Sequence, residues 1–536
     1  MAYEAKWASD PKLNKNELAK LEKDGLDILD LIVNKYSKEG FDSIEKSEFD
    51  FFKWAGVYQQ RPNNGHFMMR VRIPSGILTN EQALVLAGIG KDYGRDLVDV
   101  TTRQAVQFHW LTIENFPDIF ERLAAVGLSS TEACGDCPRT IIGNPLAGID
   151  PNETLDTRPI VAQLEQFFRG NRDFSNLPRK YKMSVSANIY NTAHAELNDL
   201  AFTPAKKVLN GEEVLGFHIW VGGGLSAKPY LAQKLDVFCQ PEEALKVAVG
   251  VTTIFRDFGY REKRTHARLK FLMADWGPEK FREELVKITG ELETAGTDLT
   301  EGWKAGYFYG VHEQKQAGYY YAGLSVPVGR MTANELVELA RIAQQYGDGT
   351  IGTCNSQNVL IRNISSENVE KFKEESLIKN RFKLNPNTFV AYAISCTGTE
   401  YCNLAIVETK ERMRALAEYL DQTVALDTPL RIHMVGCPNS CGQRQIGDIG
   451  LQGALVKTES GMVEAFDLFV GGTLESARFN EKLKARVTHD KLGPVLAQLI
   501  GVYKEERLDG EAYWKYVERV GVDHIQKQFD QIMVTA

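Results

Sequence analysis

Four cysteines stand in two close pairs between Ser395 and Gly453: Cys396 and Cys402 with five residues between them, then Cys437 and Cys441 with three. Thiolates are soft donors, and a set of four suits zinc or an iron–sulfur cluster. Zinc ribbons and knuckles usually space each pair by two residues, so these gaps fit zinc poorly and favour a cluster. Four unconnected buried thiols are the plain alternative, because free cysteine is often core. Cys239 and Cys354 have no partner at ligand spacing and read as core.

Positive side chains form a second candidate set. In Phe67-Met-Met-Arg70-Val-Arg72-Ile73, strand alternation sets Met68, Arg70 and Arg72 on one face and Met69, Val71 and Ile73 on the other. In Leu177-Pro-Arg-Lys-Tyr-Lys-Met-Ser-Val-Ser186, Lys180, Lys182 and Ser184 share a face opposite Tyr181, Met183 and Val185. Two ammonium groups on one strand face, backed by an apolar one, suit an anion that is bound and protonated. Arg139 follows the turn Cys134-Gly-Asp-Cys137-Pro, and more basic residues cluster in Arg264-Thr-His-Ala-Arg268-Leu-Lys270. Taken singly, each cation reads as a solvated surface charge. His109, His266 and His433 lie in apolar or crowded stretches and read as structural histidines.

The elements that must carry these residues repeat. Residues 12–36 are charged and helix-like, an arm expected to pack on the surface. After the Arg70 strand, Thr79-x-x-Gln82 forms a capping box that opens a helix ending near Tyr93-Gly94. One strand is expected over Asp99–Trp110 and a helix from Phe116 to Val126. Pro74, Gly76, Thr79, Tyr93, Gly94, Gln104 and Val106 recur as Pro327, Gly329, Thr332, Tyr346, Gly347, Gln357 and Val359, each 253 positions later (327 − 74, 359 − 106). Trp220-Val-Gly-Gly-Gly-Leu225 is echoed by Phe469-Val-Gly-Gly-Thr-Leu474. Two long copies in constant register mean an internally duplicated, pseudo-two-fold α+β protein rather than a solenoid. The copies differ where chemistry would live: Arg103 faces Ser356, and the four-cysteine set belongs to the second copy alone. A site at the junction would draw charge from one copy and metal from the other.

Composition narrows the class. The chain has 536 residues, 43% hydrophobic and 25% charged, enough for about three domains with real cores. A net charge of −8 argues against nucleic acid as the main partner, though it leaves room for a local basic face. The first residues lack the apolar core of a signal peptide, and no apolar run reaches membrane-spanning length, so a cytoplasmic location is expected. In that compartment eight cysteines point to metal or redox chemistry, not disulfides. The Gly222-Gly-Gly224 loop lacks the spacing of a dinucleotide fingerprint, and no flavin module is visible, so electrons must come from a separate protein.

Cys396-Thr-Gly-x-x-x-Cys402 with the following Asn403-Leu-Ala-Ile-Val-Glu-Thr-Lys410, and Gly436-Cys-Pro-Asn-Ser-Cys-Gly-Gln-Arg with the following Gln-Ile-Gly-Asp-Ile-Gly-Leu-Gln-Gly453, resemble the ferredoxin-dependent sulfite and nitrite reductases. The resemblance covers nearly the whole chain from about Trp54. It implies a [4Fe–4S] cluster held by Cys396, Cys402, Cys437 and Cys441, with Cys441 also bridging to the iron of siroheme. It implies that Arg70, Arg139, Lys180 and Lys182 bind the substrate anion, and that Arg103, Arg268 and Lys270 meet the carboxylates of the macrocycle. It further implies an N-terminal arm (1–57), two ferredoxin-like half-domains that pair together (58–128 and 311–385) and two larger α/β domains that bind siroheme and cluster (129–310 and 386–536).

The same resemblance bears on substrate and donor. Lys182 matches a position that is Asn in the nitrite branch and Lys in the sulfite branch, which favours sulfite, with nitrite the alternative. Tyr58 and Cys134 match positions covalently linked in actinobacterial ferredoxin-type sulfite reductases; a core tyrosine and a buried thiol are the plain reading. A reduced ferredoxin is the expected donor, a flavoprotein subunit the alternative, and a monomer without nucleic-acid or membrane partner is expected. A heme-free electron-transfer protein or a zinc-stabilised binding protein would leave the matched cations unexplained.

Overall fold

The computed structural model describes residues 7–10, 12–459 and 461–535; the reading of a missing leader falls mainly on residues 1–6, outside them. The strand bearing Arg70, Phe67–Val71, alternates as the sequence demands, with Phe67, Met69 and Val71 buried and Met68 and Arg70 half-buried. The single strand expected over Asp99–Trp110 is instead two, Leu97–Val100 and Val106–Leu111. A tight turn divides them: the Thr101 N–H donates to Ala105 O and the Gln104 N–H to Thr101 O, with Gln104 at φ 56°. Nothing in the run Thr-Thr-Arg-Gln-Ala announces a left-handed residue, which glycine or asparagine would normally supply. The break puts Arg103 on a turn.

The two half-domains exchange edge strands. One sheet runs Val57–Gln59, Phe67–Val71, Val106–Leu111, Leu97–Val100 and then Arg330–Thr332 from the other half. Its mate runs Gly310–Glu313, Tyr319–Leu324, Val359–Ser365, Ile351–Thr353 and then Ile77–Leu78 from the first. The two backbones cross at Gly76 and Gly329, both left-handed, where a Cβ would stand 2.2 Å from Thr353 O and 2.7 Å from Val100 O. Helices Asn80–Tyr93 and Ala333–Tyr346 both open on formed capping boxes, Thr79/Gln82 and Thr332/Glu335, and pack on each other. Leu86, Ile89, Phe108, Leu339, Ile342 and Ile361 then belong to one continuous core.

The larger domains repeat as well. Ile142–Gly143, Met183–Val185, Leu200–Leu209, Glu212–Val221 and Gln233–Cys239 form one sheet, parallel over the first three strands and antiparallel after. Ala393–Ser395, Ile432–Val435, Ile449–Thr458, Gly461–Val470 and Glu481–Thr488 form the other with the same order and sense. Left-handed residues recur in step: Asn191 and His194 in one copy, Ser440 and Gln443 in the other, 249 apart (440 − 191, 443 − 194). Among the described residues no helix is long and apolar enough to cross a membrane.

The arm departs from expectation. Leu26, Ile28, Ile32 and Tyr36 are buried in the half-domain core beside Phe52 and Phe67, so the arm completes that core rather than lying on its surface. Its charged residues are buried too: Lys20 pairs with Glu17 at 2.6 Å, and Glu17 with Arg261. High charge density hid an apolar stripe. Ile32→Ala should lower unfolding stability by about 2–4 kcal/mol in a urea titration, the usual cost of truncating a fully buried aliphatic side chain; a surface arm would lose well under 1 kcal/mol, about the change typical of exposed sites.

Candidate active site

A cavity of about 500 Å³ lies where the two copies meet. Tyr58, Arg70, Arg103, Arg139, Lys180 and Lys182 line it from the first copy, and Cys396, Cys402, Cys437 and Cys441 from the second. The cysteines leave strand ends: Cys396 follows Ala393–Ser395, Cys402 follows a short helical turn, and Cys437 and Cys441 follow Ile432–Val435. Backbone amides face the sulfurs. Gly436 N–H donates to Cys396 Sγ at 3.2 Å, and Cys402 and Cys437 receive amides from Leu404, Ala405 and Asn439. Burial pushes the Cys396 thiol up to about 12, so an uncompensated thiolate is disfavoured there and a metal centre would have to supply the charge. Among the described residues no three His, Cys, Asp or Glu side chains close around one ion. Four thiols standing around a cavity suit a cluster better than a tetrahedral zinc, whose sulfur ligands all lie about 2.3 Å from one point. The first copy completes this wall, because the Thr102 hydroxyl on the Gln104 turn donates to Cys441 O at 2.8 Å.

Opposite the thiols, positive charge is in excess. Nine lining residues are cationic (Lys53, Arg70, Arg103, Arg139, Arg179, Lys180, Lys182, Arg264, Lys410) against two carboxylates, Asp99 and Asp136. Both carboxylates are already engaged, Asp99 by Arg330, Lys410 and His109 and Asp136 by Lys20, Arg179 and Arg264. Arg70, Arg103, Arg139, Lys180 and Lys182 have no carboxylate partner among the described residues. Arg70 donates to Gln107 Oε1 at 2.9 Å and reaches Cys134 Sγ at 3.6 Å, while its Nε is buried without a partner. Arg139 is tied to Ala133 O and Gly135 O. Arg103 is caged by Asn198 Oδ1, Thr140 O and Met183 O; burial and the neighbouring Arg139 pull it down to about 9. Lys180 is lowered to about 8 by burial, and Lys182 is pushed well down by burial and by Arg103. Such a set is costly until anions fill it. A polycarboxylate macrocycle and a small oxyanion are the anions this donor set fits.

Not every expected residue lines this wall. Arg268 is buried in a pair with Asp199, and Lys270 donates to carbonyls of the 224–228 loop, including Leu225 O at 2.8 Å. Neither lines the cavity, and the Gly222–Gly224 loop is glycine for packing: a Cβ on Gly223 would stand 2.2 Å from Glu196 O. Tyr58 lies at the cavity with its hydroxyl on the Cys134 thiol, and burial followed by that thiol raises it above its ordinary value. His109 and His433 are buried, His109 stacked on Tyr401 at 3.9 Å, whereas His266 is exposed and stacked between Tyr260 and Phe271. Cys239 and Cys354 are buried core.

Gln107 was missed by the sequence reading. Its Oε1 takes Arg70 and its Nε2 donates to Thr397 Oγ1 at 3.2 Å, beside Cys396, so it ties cation wall to thiol wall. Only the register Arg70↔Gln107 between strands reveals it. A second cavity of about 620 Å³ is the symmetry mate of the first. Its lining residues Asn188, Thr192, His312 and Tyr321 correspond to Cys437, Cys441, Tyr58 and Met68 (437 − 188 and 441 − 192 give 249; 321 − 68 gives 253, and His312 pairs with Tyr321 as Tyr58 does with Met68). It has no thiol in its lining.

Comparison with known proteins agrees with this geometry. The nitrite and sulphite reductase 4Fe–4S domain matches residues 134–291 and 389–534, and the nitrite/sulfite reductase ferredoxin-like half domain matches 58–126 and 312–377. A ferredoxin–nitrite reductase of Synechococcus elongatus is 40% identical over 502 residues, covering 92% of this chain and 97% of the relative. A "sulfite reductase [ferredoxin] 2" of Mycolicibacterium paratuberculosis is 36% identical over 556 residues, covering 98% of each. The solved structure of the Mycobacterium tuberculosis NirA protein superposes with a TM-score of 0.92 at 34% identity, covering 97% of this chain and 99% of that one. The duplicated fold is therefore that of an enzyme of the ferredoxin-dependent nitrite and sulphite reductase family, which carries siroheme and a [4Fe–4S] cluster, and this chain belongs to it.

Proposed function

We propose that this chain is an assimilatory sulfite reductase, taking electrons from reduced ferredoxin and reducing sulfite to sulfide in six one-electron steps; nitrite reduction to ammonia is the second reading, favoured by the several nitrite reductases among its relatives. The observation that carries sulfite is Lys182. It stands at the cavity beside Lys180, and neither ammonium has a protein partner among the described residues. Two free lysines suit a trigonal oxyanion that must shed each oxygen as water.

When bound, the cluster and siroheme would supply the redox chemistry and the Lewis-acidic metal. Arg70 and Arg139 are fixed by Gln107 and by the Ala133 and Gly135 carbonyls, so they present oriented guanidinium groups to the anion's oxygens without reorganising. Lys180 and Lys182 draw charge onto the departing oxygen, and each Nζ can give it a proton. Burial lowers both ammonium groups below their ordinary value, which makes each a stronger acid. Arg103 would hold a carboxylate of the macrocycle. Tyr58 and Cys134, in hydrogen-bond contact, fit a thioether link, which an intact mass two hydrogens below the unlinked chain would support. A cytoplasmic location belongs to the same reading.

Lys182→Asn should lower the sulfite-to-nitrite ratio of kcat/KM by about tenfold or more, the value of one charge-assisted hydrogen bond; an unchanged ratio contradicts the assignment. Lys180→Ala should reduce kcat per bound heme by about 10²–10⁴-fold, the range of a lost proton donor; loss of heme with unchanged turnover per heme would make the residue structural. Cofactor-free protein should gain stability as pH rises from about 8 to 10.5, because Lys180 is deprotonated there in the folded state while the unfolded chain still binds the proton. Lys180→Met should flatten that slope in melts run across the window; an undiminished slope means other groups cause it.

A further inference from the structure

Lys182 and Asp199 have exact counterparts in the second copy, Arg431 and Asp448 (431 − 182 and 448 − 199 give 249). The backbone around them is alike. Asp199 accepts from Lys182 N–H at 2.9 Å, and Asp448 from Arg431 N–H at 2.8 Å. The Gly222 N–H donates to Asp199 O at 2.9 Å, and the Gly471 N–H to Asp448 O at 2.8 Å. In the second copy Arg431 folds back on its aspartate, donating from Nε and Nη2 at 2.8 Å each, and Nη2 also reaches Gly472 O at 3.3 Å.

In the first copy a guanidinium fills the same place but comes from elsewhere. Arg268, at the N-cap of helix Leu269–Thr289, donates to Asp199 from Nε at 3.1 Å and Nη2 at 2.8 Å, and Nη2 lies 3.4 Å from Gly223 O. Gly223 and Gly472 are again 249 apart. Gly224 makes room, since a Cβ there would sit 2.7 Å from Arg268 Nη2. Lys182 occupies the position from which Arg431 folds back, yet it lines the cavity. A buried carboxylate left without a cation is costly and takes the nearest one. Without Arg268, Lys182, whose own N–H already donates to Asp199, is one of the cations left beside that carboxylate, with Arg103 and Lys270.

We propose that Arg268 is a positioning residue for the substrate site: by saturating Asp199 it keeps the Lys182 ammonium facing the substrate anion instead of the protein's own carboxylate. The inference rests on the reading above that Lys182 meets the anion. Relocating the guanidinium from strand to helix is what lets a duplicated scaffold turn one structural cation into a binding cation in one copy only.

A double-mutant cycle on the holoenzyme tests it, with heme content and the sulfite dissociation constant read from the heme absorption, and KM and kcat from turnover. Arg268→Gln should weaken sulfite binding and raise KM by about tenfold, as loss of one charge-assisted contact would, with heme content retained. In the Lys182→Asn background the same change should have no further effect. Adding Asp199→Asn to Arg268→Gln removes the competing carboxylate and should recover most of the loss, which keeps the test open if the single variant folds poorly. Equal losses in both backgrounds, no recovery in the pair, or a fall in heme content that accounts for the lost activity would overturn the proposal. If Lys182→Asn alone leaves sulfite binding unchanged, the reading of Lys182 falls with it.

Discussion

Five cations that share a wall with no carboxylate partner of their own among the described residues impose the constraint on which the rest of this structure depends. Arg70, Arg103, Arg139, Lys180 and Lys182 sit together in a partly dehydrated cavity, and burial first, with repulsion from neighbouring cations after it, pulls Arg103 and both lysines below their ordinary values. Folding must hold them there against that repulsion. Backbone carbonyls cage Arg103 and Arg139, Gln107 clamps Arg70, and Arg268 takes the aspartate that accepts from the Lys182 backbone. Anions would relieve that repulsion, so the electrostatics of this wall favour anion binding.

Duplication gives that arrangement its geometry. Exchanged edge strands and the crossing of backbones at Gly76 and Gly329 lock the two half-domains together, and the larger domains inherit the same relation. Two equivalent cavities result. Divergence equips one with cations on one side and thiols on the other, while its mate carries Asn188 and Thr192 where the thiols would be. Arg431 on Asp448 is the undisturbed structural solution, and Arg268 on Asp199 is the altered one that leaves Lys182 for chemistry.

Much of this is legible in the amino-acid sequence. The 253-residue register is visible because capping boxes and turn glycines are sequence-local and resist drift; the cysteine spacing is visible because ligand sets tolerate little change. Strand alternation correctly put Tyr181 and Met183 in the core with Lys180 and Lys182 opposite. What failed had tertiary causes. The arm reads as polar because its apolar stripe is interrupted by Glu17 and Lys20, whose partners Arg261 and Asp136 are far away in sequence. The turn at Gln104 is hidden in a β-favouring run. The contacts of Arg268 with Asp199 and of Lys270 with the 224–228 loop, outside the cavity lining, have no signal in the sequence. Gln107 needs the strand register to be noticed at all.

The central claim is that the cation wall, with lysine at position 182, is built for sulfite. The most direct measurement is kcat/KM for sulfite and for nitrite, side by side on one siroheme-loaded preparation with reduced ferredoxin as donor. A clear preference for sulfite is the result this account predicts. A clear preference for nitrite would contradict it, leaving the fold, the cofactors and the anion site in place but showing that Lys182 does not set the substrate.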